Sequence, residues 1–241
     1  MARDRFKLGY KYKNSDFFTE EQLKNIIRTK ELKFGEKRKN GDSLYWYKDY
    51  PEHKIRVIGL WSQDMPEGLT DAEGNAKYKR IHTHAFRQEQ LNWLANVALK
   101  NLASDYHVII TSHVPLYYGW QVTANAPINH DIVGGILHAF MSGSAFTGNS
   151  TKTDFEISIS ADFSSQGPRK LVGWFSGHNH FYARYNWDGI NIVILDFSAG
   201  DNSGYLGTDK EDAISMIEVD SKKNAVTIKG WGRAASSSYK Y

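Results

Sequence analysis

The chain has 241 residues, 41% hydrophobic and 14% aromatic, enough for one soluble domain or one domain with a small appendage, and too rich in apolar surface to stay disordered. It has no cysteine, which excludes disulfides, thiolate metal sites and cysteine nucleophiles. The net charge of +3 is mild and local, because residues 1–40 hold twelve basic against six acidic side chains. This basic arm reads as a solvated face, so a nucleic-acid partner is possible but not indicated. No run approaches a membrane span, and the charged start MARDRFKLGYKYK lacks the apolar stretch of a secretory signal. A cytoplasmic location is the default expectation, with a virion or extracellular one left open.

Thr19–Lys30 predicts a helix, capped by Thr19, opened by acidic residues and closed by basic ones. Residues 1–42 thus form a basic N-terminal arm with a helix, and residues 43–241 the main body. Ser43–Lys48 alternates Tyr45 and Tyr47 in the manner of a half-buried strand. His53–Trp61 is a β-branched, apolar strand, and Gln63–Arg80 is a loop rich in Pro, Gly, Asp and Asn. Phe86–Leu102 spaces Leu91, Leu94, Ala95, Ala98 and Leu102 as the apolar stripe of a helix. Tyr106–Thr111 is a short apolar strand that halts at Ser112-His113-Val114-Pro115. Asp131–Met141 predicts another helix, and Gly143–Gly167 is polar with little signal. Leu171–Ser176 is a buried strand ending in Gly177-His178-Asn179-His180. Phe181–Trp187 and Ile190–Phe197 form a hairpin about the turn Asp188-Gly189, and Ala213–Val219 and Ala225–Lys229 are further strands. Strands alternating with helices and then a run of hairpins indicate a mixed α/β layered domain.

Most of the nine histidines need no special role. His107 falls inside a strand, His138 on a helix face, and His53 and His130 in polar contexts. His82 and His84 form a His-x-His pair, but without a preceding buried strand it reads as loop. His113, His178 and His180 differ, because each follows directly on a short apolar strand, and parallel strands present their carboxyl ends at the crevice where α/β proteins place their sites. Gly177 would allow the turn that aims His178 and His180, and Pro115 would stop the strand before the His113 loop. From chemistry alone these are either a three-imidazole metal site or unrelated surface residues.

Thr111-Ser112-His113-Val114-Pro115-Leu116 and Phe175-Ser176-Gly177-His178-Asn179-His180 resemble the fourth and fifth motifs of calcineurin-like metallophosphoesterases, His-x-Pro after a strand and Gly-His-x-His. SLYWYKDYPEHKIRVIGL is similar to the tyrosine-rich strand pair that follows that family's third motif. FRQEQLNWLANVAL is similar to its Gln-x-x-Trp-Leu helix. The resemblance spans about residues 43–220 and implies half of a layered α/β/β/α sandwich, a mixed sheet with covering helices. It also implies a divalent metal pair of manganese, iron, zinc or nickel, with His113 and His178 on the second metal and His180 on the first. The reaction implied is hydrolysis of a phosphate ester. Asn179 and Tyr182 are candidate substrate contacts, and Gln63–Arg80 and Tyr117–Asp131 candidate rim loops.

The family's Asp-x-His, Gly-Asp-x-x-Asp and Gly-Asn-His are missing. Gly41-Asp42, Gly148-Asn149 and Gly74-Asn75 lack the required following residues. The bridging acid and the histidine that assists the leaving group are therefore absent, and no residue is assigned as catalytic. Neutral imidazoles alone do not offset the repulsion of two adjacent dications. Two readings follow: an enzyme half completed by a polypeptide carrying the missing motifs, or an inactive structural or interaction protein such as a virion component. Deletion of the first half of such a domain leaves a strand edge and an apolar face to be covered by a partner, by dimerisation or by the N-terminal segment, residues 1–42.

Overall fold

A computed structural model describes residues 11–27, 32–80, 82–117, 126–197 and 204–241. Helix α1 (Glu20–Ile27) begins as the sequence predicts. Thr19 Oγ1 accepts from the Gln22 N–H at 3.1 Å, and Gln22 Oε1 accepts from the Thr19 N–H at 2.8 Å, a reciprocal capping box that satisfies two otherwise orphaned donors. The last residues of the predicted helix, 28–30, lie outside the described residues.

The centre is a seven-stranded mixed sheet. Its strands are β1 (Lys37–Arg38), β2 (Trp46–Tyr50), β3 (Ile55–Gly59), β4 (His107–Thr111), β7 (Lys170–Ser176), β8 (Ala183–Trp187) and β9 (Ile190–Ile194). Their order is β1-β2-β3-β4-β7-β9-β8. The four strands β3, β4, β7 and β9 run parallel, while β1, β2 and β8 pair antiparallel at the two sides. Parallel strands covered on both faces are near-continuous apolar runs, as Val108-Ile109-Ile110 and Leu171–Phe175 are. The turn from β8 to β9 takes left-handed backbone at both Asp188 (φ 46°) and Gly189 (φ 88°), the conformation a tight hairpin needs.

One face of this sheet carries the main core. Ile58, Val108, Ile110, Trp174 and Ile192 pack there against the helices that follow β3 and β4. Helix α2 (Gln88–Trp93) continues as a π-helical stretch over Leu94–Ala98, where the Leu99 N–H reaches back to the Leu94 carbonyl at 3.0 Å. The predicted stripe is therefore correct in its buried residues but not in its regular periodicity. Helix α3 (His130–Ser142) ends at Gly143, whose φ of 66° is left-handed, the usual helix stop.

The hairpin β5 (Ala145–Ser150) and β6 (Ile157–Asp162) covers the same layer, although residues 143–167 are polar with little sequence signal. Its alternating Ile157, Ile159 and Ala161 are buried in the main core.

The other face meets a three-stranded sheet of β10 (Ala213–Asp220), β11 (Ala225–Gly232) and β12 (Ser237–Lys240). Val172, Phe175 and Val193 pack there on Val226, Ile228 and Tyr239. The layers are thus helices with a hairpin, the large mixed sheet, and the small sheet, an α/β fold. The outer face of the small sheet leaves Ile214, Met216 and Trp231 about half exposed, at 57%, 53% and 49%. Among the described residues β10 pairs with β11 alone. The basic arm is not detached, since β1 joins the large sheet and Lys13 Nζ donates to the Gly74 carbonyl at 2.9 Å.

Candidate metal centre

The carboxyl ends of β4 and β7 lie side by side because the two strands pair in parallel, Thr111 opposite Phe175. The chain then fastens the two loops to each other. The Ser112 N–H donates to the Phe175 carbonyl at 3.2 Å, and the Gly177 N–H donates to the His113 carbonyl at 3.1 Å. Trp174 Nε1–H donates to Ser112 Oγ at 2.9 Å. His113 and His178, 65 positions apart, are thereby brought into direct contact, with His113 Nε2 and His178 Nδ1 at 3.1 Å.

The turn that aims the Gly-His-x-His segment is not made where the sequence suggested. Gly177 does not take a left-handed conformation; His178 (φ 71°) and His180 (φ 58°) do. Histidine tolerates this region better than most side chains, and strained backbone clusters at functional sites. His180 is exposed and stacks on Phe197, ring centres 3.7 Å apart. It stays close enough that a charge on it would disfavour protonation of both His113 and His178.

A fourth histidine joins them. His84 is 9% exposed, and its ring stands edge-on to His178 with centres 4.7 Å apart; His113 and His178 are related in the same way at 5.0 Å. The backbone around His84 is held on two sides. The Ala85 N–H donates to the Ser62 carbonyl at 3.0 Å, and the Ile128 N–H donates to the His84 carbonyl at 2.8 Å. Ser62, fixed just after β3, also accepts from the Val114 N–H through Oγ at 3.1 Å, so one buried serine ties the His84 and His113 loops together.

The turn holding Ser62 is locked in its own right. Gln90 Oε1 accepts from the Trp61 N–H at 2.7 Å, and Gln90 Nε2 donates to the Trp61 carbonyl and to Asp64 Oδ2, both at 3.0 Å. The Gln-x-x-Trp-Leu segment therefore acts on the site through the turn beneath it. His84 escaped the sequence reading because no strand precedes it. The one signal was the His-x-His spacing itself, and the residues are indeed a loop.

Burial keeps these imidazoles neutral. His84 is lowered to about 4 by desolvation, with further repulsion from His178, His113 and His82. His178 is lowered to about 4 by desolvation and then by His113 and His180. His113 is lowered by desolvation and then by His180. A neutral ring offers a lone pair, the form in which histidine binds metals. His84 Nε2 and Asn179 Oδ1 are buried without a hydrogen-bond partner among the described residues.

No group of three or more His, Cys, Asp or Glu side chains among the described residues is arranged, in this conformation, to hold a metal ion. Asp196 lines a groove of about 590 Å³ together with His113. It is already engaged, with Arg233 Nε at 3.4 Å and the Phe197 N–H at 2.8 Å. The imidazole pair fits one cation, since its 3.1 Å separation is the edge expected for two nitrogens on a metal at about 2.0–2.1 Å. A bridged pair of cations does not fit the described side chains.

The remaining candidates are placed as follows. Tyr182 packs against the second core, and its hydroxyl pairs with Ser237, directing it toward β12. The Asn179 N–H donates to the Gly177 carbonyl at 2.9 Å inside the turn. His107 is a buried structural residue bonded through Nδ1 to the Tyr241 hydroxyl at 2.7 Å. Of the rim loops, residues 63–80 are described and 118–125 lie outside the described residues. No protein-family model matches the chain, and no curated protein is similar to it. No described helix is long and apolar enough to cross a membrane.

Proposed function

We propose that this chain is the C-terminal half of a metal-dependent phosphoesterase of the calcineurin-like kind, hydrolysing a phosphomonoester or phosphodiester once another polypeptide supplies the missing acids. The observation that carries this reading is the contact of His113 and His178 at the carboxyl ends of adjacent parallel strands. His-x-Pro and Gly-His-x-His each contribute one ring to that contact.

In this reading His113 and His178 hold a divalent cation through neutral imidazoles, and His180 serves the partner's half of the site. The cation, when bound, lowers the pKa of a water ligand and offsets charge on the phosphoryl oxygens. His180, stacked on Phe197, is positioned rather than free to rotate. The engaged Asp196 leaves the acidic ligands to the partner. The groove beside His113 is a surface such a partner would cover.

A second reading, an inactive structural or interaction protein, is favoured by the exposed Ile214, Met216 and Trp231. The deciding experiment mixes the chain with a polypeptide carrying Asp-x-His, Gly-Asp-x-x-Asp and Gly-Asn-His and measures complex formation and manganese-dependent hydrolysis of p-nitrophenyl and bis-p-nitrophenyl phosphate. Hydrolysis abolished by His178→Ala supports the enzyme half. A chain that neither binds nor hydrolyses leaves the interaction protein.

A further inference from the structure

We infer that the cavity between helix α1, the Trp61–Asp64 turn, the start of α2 and the β5–β6 loop binds an organic monocation, a primary ammonium or guanidinium on a short aliphatic stem. This cavity shares no lining residue with the groove beside His113 and does not depend on phosphate-ester chemistry.

The chemistry of the walls carries it. The cavity encloses about 260 Å³ and is lined by Tyr45, Trp61 and Phe155 and by five carboxylates against one guanidinium, that of Arg87. Four of the acids are already paired. Asp64 holds Arg87 at 2.6 Å, Glu20 holds Lys24 at 3.1 Å, Asp154 holds Lys77 at 2.5 Å, and Glu89 holds Lys39. Glu156 has no ion pair or hydrogen bond among the described residues. Five acids are thus matched by four bases, and one negative charge is left over.

Tyr45 supplies an observation independent of that count. It is 6% exposed, with its ring against Trp93 at 4.9 Å between centres. Its hydroxyl has no hydrogen-bond partner among the described residues. The hydroxyl is turned into the cavity, because burial and then Glu89, Asp64 and Glu20 push the phenol up while Arg87 opposes them, and all four of these residues line the same space. A buried hydroxyl calls for a partner, and a phenol oxygen can accept from an ammonium or guanidinium. The tyrosine and tryptophan rings add their attraction for a cation.

Other occupants fit less well. The excess of carboxylates repels an anion. The described acids are not grouped to hold a metal ion, which leaves a cation that spreads its donors. The volume lies below the about 300–1,000 Å³ of drug-sized pockets, so the occupant is a small amine or a single side chain. The walls are preformed. Phe155 is 1% exposed and stands edge-on to Tyr78, and Gln88 Oε1 accepts from the Ser158 N–H at 2.6 Å, tying the start of α2 to β6.

The test titrates the intact, isotope-labelled chain and follows the Trp61 indole N–H by NMR. The probes are n-butylammonium, n-butylguanidinium, N-acetyl-lysine-N-methylamide and neutral n-butanol. The cations should give saturable shifts with a dissociation constant on the order of 1 mM, weakening as salt is raised. Tyr45→Phe and Glu156→Gln should each weaken binding by about threefold or more. The first keeps the ring on Trp93 and the second changes an exposed side chain, so both variants fold. Glu73→Gln, exposed and outside the cavity, should bind as the wild type does.

No saturable shift up to about 20 mM cation, an equal response to n-butanol, or unchanged affinity in both variants overturns the inference. Tighter binding of N-acetyl-lysine-N-methylamide than of n-butylammonium upholds the site and assigns its cation to a protein side chain. The reverse order upholds it for a free amine.

Discussion

Replacing Gln90 by leucine tests how the scaffold reaches the histidines. Gln90 is fully buried, and leucine has nearly its volume, so no cavity opens. Three hydrogen bonds disappear: the Trp61 N–H loses its acceptor, the Trp61 carbonyl loses a donor, and Asp64 Oδ2 loses a donor. The Trp61 groups are half-buried and partly recovered by water, at about 0.5–1 kcal/mol each. The buried carboxylate costs more, about 1–2 kcal/mol, because it is charged. It keeps Arg87, whose backbone N–H and Nε donate at 3.0 and 2.6 Å. The expected total is about 3 kcal/mol. In urea, with a slope of about 2–3 kcal/mol/M, the midpoint falls by about 1 M. Circular dichroism against urea measures it. A midpoint within about 0.2 M of wild type would mean that the Gln90 network does not support the turn.

Gly143→Ala should destabilise by more than about 2 kcal/mol, because φ is 66° and an added Cβ would meet the Gly167 and Pro168 backbone at 2.4 Å; thermal unfolding checks it. His107 is held below 6.5 by burial, with Lys170 adding and Asp105 opposing. The unfolded chain therefore takes up its proton more readily, and stability present above pH 6.5 declines on acidification until the folded value is passed. His107→Phe should flatten that part of the urea-midpoint profile between pH 7 and 5, and an unchanged slope would rule His107 out. The half-exposed Ile214 and Met216 beside Trp231 should make the chain self-associate without a partner. Sedimentation should give a mass above the monomer's 27.5 kDa, shifting down in Ile214→Lys/Met216→Lys; a wild-type monomer at all concentrations would refute this.

Where one local signal sufficed, sequence and structure agree. Thr19 caps α1 by the bonds its side chain was expected to make. Asp188-Gly189 turns the hairpin because both positions accept positive φ. The runs ending at Ser112 and Ser176 are strands because near-continuous apolar residues of that length are buried on two faces. The β6 strand carries a period-two signal, Phe155, Ile157, Ile159, Ala161 and Phe163, which the intervening Ser, Glu and Asp make polar in overall composition. Strand β12 was hidden for a different reason, since Ser237–Lys240 holds one buried side chain, Tyr239, and gains its pairing from β11.

The chain's chemistry is written locally: strand ends that stop at histidine, a glutamine in a helix, and no acid in the places a metal pair would need. Those features follow from side-chain type and spacing, and they can be read before folding is considered. Which rings meet was decided by tertiary structure. Parallel pairing of β4 and β7 sets His113 against His178, and Ser62 draws in His84 from a loop with no pattern of its own. His180, two residues from His178, instead turns onto Phe197 because both histidines adopt left-handed backbone. Proximity across 65 or more residues depends on sheet order and buried hydrogen bonds, which no short window of sequence contains.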